Sequence, residues 1–391
     1  MKPCFWQRRR WRTERGVALL VVLSTITLVG SVVAELQFDT RVDLQLALNA
    51  RDEVQAEYSA LSALRVRSLL IKNARLLDQG LRTVAQGFGV DASVLPPVSQ
   101  LLEMVPVDCG ILSAITKPAS AQLGDQTATD EDAAGVFPGE CTATSKSEHS
   151  KISLPALALA RPGDAAQAQQ MLLGILSDPK LERFFQQDNE RGDHADSPAE
   201  LVGAIVDWVD ADKVQTGAQV GDEDRYYAYL RDPYRTKNAP FDSSAELELV
   251  HGIGDELYGI LKDRVTVYNT SAQIELGTAD DITVAIGVCS ILTQTGYCAT
   301  LLSTPALWSA LKQLRTLGGA GFSPLNVQAL RTMLDALAVP YDANKLSQVF
   351  TDRTSTTWYT IDAEGSLGNA HKHVRVVYQT QEGQYYYFRM E

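Results

Sequence analysis

Residues Gly16–Ala34 read GVALLVVLSTITLVGSVVA, 19 consecutive positions without a charge. The hydrocarbon core of a bilayer takes about 20 helical residues at ~1.5 Å each, so this stretch is just long enough to cross one. Six cations, Lys2, Arg8, Arg9, Arg10, Arg12 and Arg15, precede it against a single acid, Glu14. Positive charge favours the cytoplasmic side, which predicts a cytoplasmic leader and a translocated body.

A cleavable signal peptide shares the basic and apolar regions, and Ser31-Val-Val-Ala34 has the small residues of a cleavage site. Against removal, neither proline nor glycine occurs from Ser31 to Gln79. One unbroken helix is therefore expected from Val17 to Leu77, about 90 Å long. Leu44, Leu48, Tyr58, Leu61, Leu64 and Leu69 recur largely at helical spacing. They predict an apolar stripe that the exported half must pack against something.

The 391 residues are 45% hydrophobic and 21% charged, the composition of a folded chain rather than a disordered one. Net charge is −13, of which the first 16 residues contribute +5, leaving −18 on the rest. Such a body repels a phosphate backbone, which excludes nucleic acid as the main partner. Cys109, Cys141, Cys289 and Cys298 lie beyond the apolar segment. In an oxidising compartment they allow two disulfides in three connectivities; sequence proximity favours Cys109–Cys141 and Cys289–Cys298, and four buried thiols are the alternative.

From Gly80 to Ile152, prolines at 96, 97, 106, 118 and 138 and the acidic run from Gly124 predict loops with short strands. Helical patterns resume at Ala165, and Pro198 opens PAELVGAIVDWVDAD. Asp207, Asp210 and Asp212 crowd the carboxyl end of that helix, where acids oppose its dipole and need compensation. Glu223 and Asp224 follow across a flexible segment, and hard oxygen ligands gathered by a loop suit Ca²⁺. Strand patterns return at Ser355–Ile361, His371–Gln379 and Gln384–Met390, a closing three-stranded meander. His371 and His373 share a strand face but lack a third nearby ligand, and are read as an exposed polar face.

The blocks LVGAIVDWVDAD, GDEDRYY and DPYRTKNAPFDSSAELELVHGI resemble, in order and spacing, the signature region of general secretion pathway protein K, the K family of type II secretion minor pseudopilins. The junction Arg15-Gly16-Val17 is similar to a prepilin peptidase site. The resemblance implies cleavage after Gly16, methylation of Val17, and an α+β pilin-like fold: a long N-terminal helix packed on an antiparallel sheet, with a large inserted all-α domain. It implies a leader over 1–16, a helix over 17–79 with 17–34 in the membrane, a core beginning over 80–162, a two-lobed helical insertion over 163–352 and core strands over 353–391. Calcium is implied at Asp210, Asp212, Glu223 and Asp224, with Asp207 as a further candidate. The implied setting is the inner membrane with the body periplasmic, at the tip of the pseudopilus beside the I and J pseudopilins, with the secretin and other pseudopilins as further contacts. Pilins usually carry glutamate at the fifth mature position, where this chain has Val21; the K family is similar in lacking it.

Two other classes are open. LELVHGIGDELYGIL resembles a helix-hairpin-helix, whose amides can hold a DNA phosphate in a membrane-tethered binding protein. A carboxylate-pair hydrolase has no sequence signature. No HExxH, GxSxG or phosphate-loop motif is present, and the expectation is a non-enzyme. Mass analysis of the mature amino terminus is expected to find methylated Val17; a chain starting at Glu35 would overturn the pilin-like reading.

Overall fold

The computed structural model describes residues 14–87, 89, 98–110, 139–158, 162–217, 221–294, 296–316, 325–352 and 357–391. Most of the basic leader, the acidic run from Gly124 and the prolines at 96, 97, 118 and 138 lie outside them.

Helix α1 runs Glu14–Lys72, 59 residues, and α2 follows at Ala74–Gly87. The single helix expected over 17–79 is thus two, parted at Asn73, whose side-chain amide donates to the Leu69 carbonyl at 2.8 Å. The backbone bonds from the Asn73 amide to Leu69 and from the Leu77 amide to Asn73 still cross this point, at 3.1 and 3.0 Å. The apolar half of α1 is exposed along its length, and α1 is the one helix among the described residues that is long and apolar enough to cross a membrane.

The half beyond it buries Ala56, Ala60, Ala63, Leu64, Arg67, Ser68 and Ile71, a stripe stepping by threes and fours along one helix face. The leucine stripe expected to pack is a different one. Leu44, Tyr58 and Leu69 are exposed, Leu61 is half-buried, and only Leu64 is buried. The packing face is alanine at Ala56, Ala60 and Ala63, where the sheet comes closest, and larger at Leu64, Arg67 and Ile71.

Among the described residues nine strands form in chain order: β1 Val107–Asp108, β2 Glu140–Ser147, β3 Ile152–Ser153, β4 Val265–Thr266, β5 Ile274–Glu275, β6 Phe350–Thr351, β7 Trp358–Leu367, β8 Ala370–Gln379 and β9 Gln384–Met390. Five make one antiparallel sheet in the order β1-β2-β7-β8-β9. The turn signals at Gly365 and Gly368 bracket less than expected, since β7 continues to Leu367.

Alternation along β7 turns Tyr359, Ile361, Ala363 and Gly365 towards α1, a series that shrinks along the strand. At its small end, a Cβ on Gly365 would lie 2.2 Å from the Ala56 carbonyl oxygen and 2.6 Å from the Ala60 nitrogen. Helix and strand backbones therefore touch there. At the other end Arg67 is fully buried, donating to Ser145 Oγ at 3.0 Å and the Val105 carbonyl at 2.7 Å. The Cys109–Cys141 disulfide ties the segment after β1 to β2.

Strands β2 and β7 are neighbours although a helical domain lies between them in sequence. That domain has one continuous apolar core from Ile152 to Phe350, so the two expected lobes share a single interior. It also begins earlier than 163, because β3 pairs in parallel with β4. A second disulfide, Cys289–Cys298, lies within it. Tyr268 of the insertion stacks on Trp358 of the sheet, with ring centres 5.4 Å apart.

Gly365→Ala is expected to cost about 3 kcal/mol or more, at the upper end of overpacking penalties because the neighbouring atoms are backbone. Urea unfolding of the full chain in detergent measures it, and a loss below about 1 kcal/mol would contradict this helix position.

Candidate functional site

The helix Pro198–Val209 starts where Ser197 accepts from the Glu200 amide and proline occupies the first turn. Its inward face, Leu201, Ile205 and Trp208, is buried, and the same registration carries Asp207 inside. Asp210 caps the carboxyl end in extended conformation. The chain then turns back through an antiparallel bridge between Val214 and Asp222. That bridge returns the short 3₁₀ turn Glu223–Tyr226 to the end of the helix.

Asp207, Asp210 and Glu223 consequently present carboxylate oxygens within 4.8 Å of one another. Asp207 and Glu223 are only 3% and 2% exposed. Asp207 accepts from the Thr216 amide at 2.7 Å. One buried oxygen each of Asp210, Glu223 and Asn238 has no protein partner. Burial, reinforced by Asp210, Asp207 and Asp212, pushes the Glu223 carboxyl up to about 7. Burial, with Asp212 and Asp207 adding to it, pushes Asp210 up to about 6. Burial also raises Asp207, against hydrogen bonds from Thr216. Three acids are thus gathered at a helix end that is already negative, each raised by burial and further by the charge of neighbouring acids.

The other two acids expected here point elsewhere. Asp212 is exposed, its carboxylate accepting from the Val214 amide at 2.8 Å. Asp224 accepts from the Thr236 amide at 2.9 Å and hydroxyl at 3.0 Å, so it closes a loop instead of joining the group. Asn238 was not foreseen. It takes the left-handed conformation at φ 48°, which asparagine tolerates, and its amide nitrogen donates to the Asp212 carbonyl at 2.6 Å. The signal for it was the Lys237-Asn-Ala-Pro-Phe241 turn.

The hairpin is organised for the interior. Gly252 has φ +81°, and its amide is taken by the Asp193 carboxylate at 3.2 Å, while the Asp255 amide donates to Glu190 at 3.3 Å. Both amides are thus already bonded to carboxylates of the same domain, and the DNA-binding reading of this motif gains no support. His251 donates to or accepts from Asp193 at 3.1 Å in the same network. His373 lies 3.2 Å from Asp362, which also accepts from Arg375.

In chelator, Glu223→Gln is expected to raise the melting temperature by roughly 2–4 °C, about 1 kcal/mol, because one of three repelling charges is gone. A lower melting temperature would show that repulsion does not govern the site.

A family model described as Type II secretion system (T2SS), protein K matches residues 151–270. The chain is 39% identical over 67 residues to the Type II secretion system protein K of Pectobacterium carotovorum subsp. carotovorum, covering 17% of this chain. The match spans 20% of that relative's length. Among solved structures, the GspK-GspI-GspJ complex from the type 2 secretion system of enterotoxigenic Escherichia coli is similar at a TM-score of 0.44 and 16% identity, over 81% of this chain and 99% of that one. Residues 151–270, matched by the protein K family model, contain the acidic group and the hairpin.

Proposed function

We propose that this protein is the minor pseudopilin at the tip of a type II secretion pseudopilus. It helps to initiate assembly of the filament that moves folded proteins across the outer membrane. The observation that carries this reading is the insertion of a protein K domain between adjacent strands of a sheet braced by a membrane-length helix. Such bulk beside the sheet would obstruct a further subunit stacked on it, whereas a terminal subunit has no such neighbour.

Val21 agrees with that position. A carboxylate in hydrocarbon costs a few kcal/mol unless it is paired, and a terminal subunit has one neighbour fewer to pair it. In this reading the leader is cytoplasmic and prepilin peptidase cleaves after Gly16. The body stands in the periplasm, where the I and J pseudopilins are its partners and the secretin is a further contact.

The same reading assigns Ca²⁺ to the acidic group. Asp207, Asp210 and Glu223 would hold it, with the unpartnered Asn238 oxygen close at hand and Asp212 adding charge. The ion would neutralise the repelling carboxylates and fix three chain segments to one point. Its role is structural, and the protein is not an enzyme.

The test mixes the full chain in detergent with the I and J pseudopilins, in 1 mM calcium or in EDTA. A ternary complex is expected in calcium, with affinity at least tenfold lower in EDTA, about 1.4 kcal/mol. No association at micromolar concentration in calcium would overturn the tip assignment; equal association in both would overturn the part given to the ion.

A further inference from the structure

Beyond the acidic group, the chain from Ala228 to Arg235 forms a loop seated on the core through Leu230 and Tyr234 and held at both ends. On its entering side the Tyr226 ring stacks on His251, with centres 3.8 Å apart, and its hydroxyl donates to Glu200 at 2.6 Å. Tyr227 is buried and accepts from the His251 amide at 3.2 Å. On the leaving side Tyr234 packs on Tyr227, with centres 5.1 Å apart, and donates to the Leu249 carbonyl at 2.6 Å. The Thr236 amide bonds to Asp224, closing the loop across its base.

Between these anchors Leu230 is half-buried against the core of the domain, while Tyr229, Arg231, Asp232 and Pro233 face solvent. Tyr229 is 92% exposed, the highest value of any large apolar or aromatic side chain among the described residues. Arg231 and Arg235 are exposed beside it, and Arg225 lies over the Tyr226 ring at 4.5 Å. Asp232 is the only acid from Arg225 to Arg235, so this segment carries +2 on a body of −18 overall, with Arg235 lying 3.8 Å from Asp224 at the base of the loop. Leu249, reached through the Tyr234 hydrogen bond, adds an exposed apolar neighbour.

A lone exposed aromatic residue is ordinary on a protein surface. This one is set apart by its company: a tyrosine among arginines, on a loop whose conformation is already fixed. Tyrosine and arginine are the residues that most often dominate binding energy, and a preorganised loop loses little entropy when it is covered. Opposite charge selects the partner.

We propose that the Ala228–Arg235 loop is a protein-docking surface, anchored by Tyr229, whose occupant is an acidic segment of a partner protein.

The experiment places the photo-reactive residue p-benzoylphenylalanine at position 229 of the full chain in cells and sequences the cross-linked peptide by mass spectrometry. The expected result is a peptide of net negative charge. Its yield should fall at least fivefold with Arg231→Glu, while melting temperature and chain abundance stay unchanged. In purified membranes the same cross-link should weaken between 0.15 M and 1 M salt. Cross-linking to lipid, to a neutral or basic peptide, or to nothing overturns the proposal, as does a yield indifferent to Arg231→Glu. The tip assignment fails separately: if no ternary complex forms but the acid-selective cross-link persists, that assignment falls and the docking surface stands.

Discussion

The structure depends on one close approach, the contact of the α1 backbone with β7 at Gly365. Helix and sheet usually stand apart by the thickness of their side chains, but here a Cβ would already collide with the Ala56 carbonyl. The shrinking series Tyr359, Ile361, Ala363 and Gly365 tilts the helix into the sheet, and Ala56, Ala60 and Ala63 accept it. Because α1 continues into the apolar half, this contact also sets the direction in which the body leaves a membrane. Arg67 fastens the far end, bonded to both β2 and the chain before β1.

With the sheet fixed in this way, the helical domain can be large without disturbing it. Its chain leaves after β2 and returns before β7, two strands that are already partners, so the insertion loads a single edge-to-edge pairing. Inside it, the end of the helix Pro198–Val209, the 3₁₀ turn at Glu223 and the turn at Asn238 meet around oxygen atoms that lack protein donors. Burying like charges is costly, and the raised carboxyl groups of Asp210 and Glu223 measure that cost. Next to this group stands the rigid loop bearing Tyr229. The domain thus buries three carboxylates at one point and exposes Tyr229 and Arg231 beside it.

Much of the architecture is local and was therefore readable. The alternation in His371–Gln379 and Gln384–Met390 marks strands because a pleat repeats every two residues. Asn326 before Val327–Ala336 caps a helix through its own side chain, which accepts from the Ala329 amide. The α1 stripe misled for a physical reason. Large leucines signal burial in most helices, but the face laid against Gly365 buries Ala56 and Ala60, Leu69 falls on the outer face, and Leu44 lies before the sheet begins, where α1 is exposed all round.

The acidic group shows the same division. Its acids are visible in sequence as two clusters, yet spacing could not say that Asp224 turns to Thr236 or that Asp212 stays in solvent. By itself the sequence determined the charge-free span, the basic flank, the strand periods and the block that resembles protein K, since each is a property of neighbouring residues. Only the tertiary structure decided which face of α1 packs, which three carboxylates converge and which tyrosine is left uncovered. Those outcomes come from contacts between distant segments, whose geometry depends on how closely whole elements approach and not on any one stretch of chain.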